Sequence, residues 1–135
     1  PEAKAILFGM SRTTGKREIV KAALESIAYQ ITDVVEMMKA EDGVTVRGLC
    51  VDGGPTKNEY LMRFQSSMLQ TPVCLPDCEE SSALGAALMA GITYGLYTME
   101  LLTHHSARQQ FQPAMMEDER NEKYAGWKAA VEKVL

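Results

Sequence analysis

Between residues 20 and 38, hydrophobic residues recur at steps of three and four: Val20, Leu24, Ile27, Ile31, Val34 and Met38. Glu18, Lys21, Glu25 and Asp33 fall before and between them. This is the period an α-helix needs to lay an apolar stripe on a core, so the segment predicts a long amphipathic helix. The stretch Ser11-Arg12-Thr13-Thr14-Gly15-Lys16 before it offers hydroxyl caps, and Gly43 offers a stop. Further upstream, the apolar run from Ala5 to Met10, closed by Gly9, predicts an extended segment entering a turn.

Val46 to Val51 reads as a short buried strand ended by Asp52-Gly53-Gly54-Pro55. Proline suits the first helical position, where its missing N–H is not needed, so a helix is predicted from Pro55 with Tyr60, Leu61, Phe64 and Leu69 as its apolar positions. Pro72 to Leu75 predicts a second strand. Glu79-Glu80-Ser81-Ser82 then opens a small-residue helix, Ala83-Leu84-Gly85-Ala86-Ala87, running to about Leu96 and suited to close packing on a sheet. After a polar link from His104 to Pro113, Glu117-Asp118-Glu119 opens a last helix over about 117–134, with Tyr124, Trp127, Val131 and Val134 on one face. There is no internal repeat. The alternation predicts an α/β fold with helices packed on a small parallel sheet through right-handed crossovers. Two strands are too few to cover helices on both faces, so residues 1–135 read as a single segment of a larger domain.

Composition narrows the partners. The 135 residues are 46% hydrophobic and 24% charged, ordinary for one domain. Eighteen acidic against 14 basic side chains leave a net charge of -4, which provides no field for a nucleic-acid backbone. The apolar stretches fall well short of the roughly 18 residues a membrane span needs, and no signal peptide is visible. Three cysteines, Cys50, Cys74 and Cys78, are too sparse and odd a set for a secreted disulfide scaffold, so a reducing, cytoplasmic setting is expected.

Gly53-Gly54, between a strand and a helix, is the feature with most chemical content. Glycine lets backbone approach a ligand, and a helix start offers N–H groups to a phosphate. The alternative is a tight turn that needs glycine only for its dihedrals. Asn58, one helical turn beyond Gly54, could present donor and acceptor to an adenine or ribose edge, and Lys57 could add charge; equally, both could be solvated first-turn side chains. No Walker pattern and no Gly-x-Gly-x-x-Gly occurs. Cys74 and Cys78 are separated by Pro76 and lack a second cysteine pair, so together with His104 and His105 they are assigned to core or loop rather than to a metal. The nine methionines read as gap-fillers on apolar faces.

Several segments together resemble the carboxy-terminal part of the FGGY family of carbohydrate kinases. Ala5-x-Leu7-x-Gly9-Met10, followed by Glu18-Ile19-x-x-Ala22-Ala23-Leu24-Glu25, is similar to that family's second signature. Val51-Asp52-Gly53-Gly54-Pro55-Thr56-Lys57-Asn58 with Phe64-Gln65 resembles its adenosine-binding turn and helix, and Ser82-Ala83-Leu84-Gly85-Ala86-Ala87 the helix after its last strand. Phe111-Gln112-Pro113 and Tyr124-Ala125-Gly126-Trp127-Lys128 resemble the tail of the glycerol-phosphorylating members.

The resemblance implies part of an actin-like, ribonuclease-H-like ATPase domain that binds ATP with Mg²⁺ and passes phosphate to a polyol or sugar hydroxyl. On that reading the cofactor-binding residues are Gly53, which shapes the turn, Gly54, whose backbone meets the nucleotide phosphates, and Asn58, which meets the adenosine. The family's phosphate loops, catalytic aspartate and substrate-binding residues have no counterpart in this chain. It is therefore expected to lack kinase activity alone, to carry no catalytic or metal-ligating residue, and to occur as a homo-oligomer. Another sugar kinase of the family, such as one acting on xylulose, and a non-catalytic self-associating module are the alternatives.

Overall fold

The computed structural model describes residues 5–43, 45–78, 80–103 and 107–133. Helix α1 runs over Lys16–Asp42, α2 over Glu59–Leu69, α3 over Ser81–Thr93 and α4 over Glu117–Val131. Strands β1 (Leu49–Cys50), β2 (Val73–Pro76) and β3 (Ala107–Phe111) form one sheet, and 3-10 turns lie at Gly54–Lys57 and Met99–Thr103. β1 pairs parallel with β2, and β3 pairs antiparallel on β2's other side. The sheet is thus mixed rather than purely parallel. The segment expected to be a polar link contains the third strand, because its backbone completes β2's ladder; His104 and His105 lie outside the described residues.

The capping chemistry at both ends of α1 follows from its sequence. Glu18 Oε2 accepts from the Gly15 backbone N–H at 2.8 Å, and hydrogen bonding to the Glu18 backbone and then to that of Gly15 holds its carboxyl below the usual range. At the other end Gly43 takes the left-handed conformation at φ 61°.

The face α1 buries differs from the expected stripe. Ala28, Thr32 and Val35 are buried, whereas Val20, Ile27, Val34 and Met38 are exposed. The small side chains of Ala28 and Thr32 let α2 approach closely, so that Gln65 Nε2 donates to the Ala28 carbonyl at 3.3 Å. The interface therefore centres one residue on from the most apolar line.

α2 is the centre of the molecule. Leu61, Met62, Phe64, Met68 and Leu69 are all buried between α1, the sheet and α4. Its buried polar groups join the layers: Ser66 Oγ lies 3.0 Å from the Thr71 carbonyl and 2.9 Å from that of Phe111, and Ser67 Oγ accepts from Ala114 N–H. These bonds pin the segment after β3 against the carboxyl end of α2.

Residues 5–10 lead into a bend at Gly9, φ 77°, and pair with no strand among the described residues; Ile6, Leu7, Phe8 and Met10 are exposed. Two other expectations are corrected. α3 does not pack on the sheet: only Gly91 is buried, where a side chain would overlap the ring of Tyr97. Of the nine methionines, Met62 and Met68 are buried and six are exposed, so most fill no gap in this core. No described helix is long and apolar enough to cross a membrane.

Candidate functional site

A cleft of about 260 Å³ opens beyond the carboxyl ends of the two parallel strands. Its walls are Val51 to Gly54 leaving β1, Leu75 and Pro76 at the end of β2, and Thr56, Lys57, Cys78 and Glu80 around the mouth. Open α/β sheets bind ligands in this position, because loops that leave adjacent parallel strands diverge there and expose backbone.

The turn is built by local rules. Gly53 has φ 92° and ψ 177°, a conformation that side chains disfavour. Its carbonyl accepts from Thr56 Oγ1 at 2.7 Å and Thr56 N–H at 3.1 Å, which closes the 3-10 turn Gly54–Lys57. Gly54 is different: its φ lies outside the left-handed region, and a Cβ placed there would meet nothing within 4 Å. Neither dihedral nor packing within this chain requires glycine at 54, which leaves its backbone open toward the cleft.

The helix predicted from Pro55 is interrupted. A four-residue 3-10 turn comes first, and α2 begins only at Glu59, with Asn58 as its N-cap. Asn58 Oδ1 accepts from Leu61 N–H at 3.2 Å, so the carboxamide oxygen is committed to the helix and its NH₂ remains as the donor. Asn58 stands just outside the lining of the cleft, while Gly53, Gly54 and Lys57 are in it. The positive end of α2 is thus displaced four residues from Pro55, and the part of the turn that borders the cleft is Gly53, Gly54, Thr56 and Lys57.

Thr56, Asp52 and Glu80 also face the cleft, and the sequence reading did not single them out. The hydroxyl of Thr56 within Gly53-Gly54-Pro55-Thr56 is the available signal, since a threonine three residues past a glycine can close a turn on its carbonyl. Among the described residues no group of three His, Cys, Asp or Glu is gathered to hold a metal ion.

Residues 1–94 match the FGGY family of carbohydrate kinases, C-terminal domain. Over 132 residues the chain is 42% identical to the glycerol kinase of Bacillus velezensis and 46% identical to that of Lactococcus lactis subsp. lactis, covering 96% of this chain in each case. It spans only 27% and 26% of those relatives. Among solved structures, Plasmodium falciparum glycerol kinase with ADP superposes with a TM-score of 0.84 at 31% identity, covering 99% of this chain and 27% of that one. A xylulose kinase from Rhodospirillum rubrum superposes with a TM-score of 0.83 at 21% identity, covering 98% and 28%, and shows the shared fold. The α/β architecture is therefore part of the actin-like ATPase fold expected from the sequence, and this chain belongs to the FGGY family of carbohydrate kinases, within which it is similar to the C-terminal part of glycerol kinases.

Proposed function

We propose that this chain is the nucleotide-binding C-terminal part of an ATP-dependent carbohydrate kinase that phosphorylates glycerol. The observation that carries the reading is Gly54: a glycine required by neither dihedral nor packing faces the cleft at the carboxyl ends of β1 and β2. A phosphate oxygen can approach backbone there as it could not approach a side chain. Lys57 lies beside it as a positive charge, and the free NH₂ of Asn58 suits an adenosine acceptor.

The glycerol assignment draws on the tail. The family match ends at residue 94, whereas the similarity to glycerol kinases extends over 96% of the chain. The alternative of a xylulose-type sugar kinase draws on the fold, which the two kinds share.

Phosphoryl transfer needs positioning and charge stabilisation by groups from several loops, and this chain contributes one wall of such a site. Mg²⁺ would supply charge neutralisation at the phosphates; among the described residues Asp52 and Glu80 are the cleft's carboxylates, too few to cage the ion by themselves. The isolated chain is accordingly inactive. The free thiols suit the cytoplasm, and the exposed apolar lines on α1 and at residues 6–10 suit coverage by further protein, a second copy included.

The deciding experiment is a titration with ADP followed by amide NMR on the wild type and on Gly54→Val. Saturable shifts centred on residues 53–58 that vanish in the variant support the reading. A folded wild-type protein whose turn does not respond to ADP, alone or joined to the remainder of the kinase, overturns it.

A further inference from the structure

In the parallel ladder Leu49 pairs with Val73, and Cys50 pairs with Cys74. Side chains alternate along a strand, and paired residues of parallel strands point to the same face. Leu49 and Val73 belong to the core against α2, so Cys50 and Cys74 share the opposite face. Both thiols are free; Cys50 is exposed and Cys74 half-buried. Paired residues on adjacent strands lie about 4.7–4.9 Å apart, inside the roughly 4.4–6.8 Å between Cα atoms that a disulfide spans. Cys78 is not an equivalent partner: it lies past Pro76, the last residue of β2, and has no register partner on β1.

We propose that Cys50 and Cys74 form a reversible disulfide that ties β1 to β2 directly beneath the nucleotide cleft. The oxidant is a small-molecule disulfide. The exposed Cys50 thiolate attacks one of its sulfurs, the S–S bond of the reagent breaks, and one reagent thiol leaves. The Cys74 thiolate then attacks the Cys50 sulfur and expels the second reagent thiol. The protein loses two protons and two electrons, and the reagent gains them as two thiols. Because Val51 and Leu75 are the next residues along each strand and both line the cleft, the bond would fix the spacing of its two walls. This inference stands on the strand register and does not depend on which nucleotide or sugar the kinase takes.

The test is incubation of the purified native protein with oxidised glutathione, acid quenching, thiol counting and peptide mapping by mass spectrometry. Three reactive thiols should fall to one, with a bridged Cys50–Cys74 peptide that dithiothreitol reverses. Cys74→Ser should stop at a glutathione adduct on Cys50, Cys50→Ser should give no bridge, and Cys78→Ser should leave the rate of bridging unchanged. A stable glutathione adduct on wild-type Cys50, a bridge involving Cys78, or a Cys50–Cys74 bridge that forms no faster in the native protein than in the urea-unfolded chain would overturn the proposal.

Discussion

The indole Nε1 of Trp127 donates to Oδ2 of Asp33 at 2.7 Å, and the same carboxylate accepts from Tyr124 Oη through Oδ1 at 2.6 Å. One side chain of α1 therefore holds two successive turns of α4. The Trp127 ring also stacks on Tyr29 with 5.3 Å between centroids and 11° between planes, and Tyr29 meets Phe64 of α2 edge-on. The last helix, far from β1 in sequence, is thereby joined to the helix that follows the Gly53-Gly54 turn.

Asp33→Ala should loosen that junction. Removing the acceptor strands two half-buried donors, a loss of about 2 kcal/mol. Trp127 is the sole tryptophan, so its fluorescence reports the docking of α4 directly. The urea midpoint should fall and the emission should shift red before the helical signal is lost; unchanged emission would show that stacking on Tyr29 suffices.

Arg120 makes a second junction, of a kind lysine cannot copy. Its Nε donates to the Met68 carbonyl at 2.7 Å, near the carboxyl end of α2, while Nη2 reaches Glu36 Oε1 at 2.9 Å. The planar guanidinium serves both acceptors at once. Arg120→Lys should destabilise nearly as much as Arg120→Ala, by about 1–3 kcal/mol, in chemical denaturation. Glu36→Gln should cost less, because Glu36 remains partly solvated and its ion pair is screened.

How far the sequence foretold this arrangement depended on whether the signal was local. The course of α1 to Gly43, the strand at 73–75 and the helix opened by Glu117-Asp118-Glu119 follow from periodicity and caps. β3 escaped because Gln109 and Gln110 carry no strand pattern; its pairing is imposed by the edge of β2 and by Ser66 reaching the Phe111 carbonyl. The break between Gly54–Lys57 and α2 escaped because Pro55 is a good first residue for a helix, while Asn58 captures the Leu61 N–H and restarts the count. The buried face of α1 was misplaced because helix contact there is decided by small side chains that admit α2, not by hydrophobicity alone. At the cleft, Gly53 and Gly54 were legible from their neighbours in sequence, whereas Glu80 enters it only through the fold.

Alkaline pH should weaken the fold. Burial, with hydrogen bonding to Asp33, pushes the Tyr124 hydroxyl up to about 12, and burial beside Glu25 pushes that of Tyr29 up to about 12. Each folded value lies above the unfolded one of about 10. The native state therefore holds the proton more tightly, and this stabilisation, complete below about pH 10, is lost as pH rises toward 12. Urea midpoints measured across that window should decline. Tyr124→Phe should flatten the decline, and an identical slope in the variant would assign the effect elsewhere.

Gly53 and Gly54 should separate stability from binding. At Gly53, φ 92° with ψ 177° is a conformation an alanine reaches only under strain, so Gly53→Ala should cost on the order of 1–3 kcal/mol. At Gly54 no such strain exists, and a methyl group meets no atom within 4 Å. Gly54→Ala should therefore leave the thermal midpoint within about 2 degrees of wild type, since surface substitutions rarely exceed ±0.5 kcal/mol. If a nucleotide phosphate rests on that backbone, the same methyl group stands where the phosphate must approach, and affinity for ADP in the assembled kinase should fall at least tenfold. A Gly54→Ala protein that binds ADP as tightly as wild type would place the phosphates away from residue 54, whatever Gly53→Ala does to the melting curve.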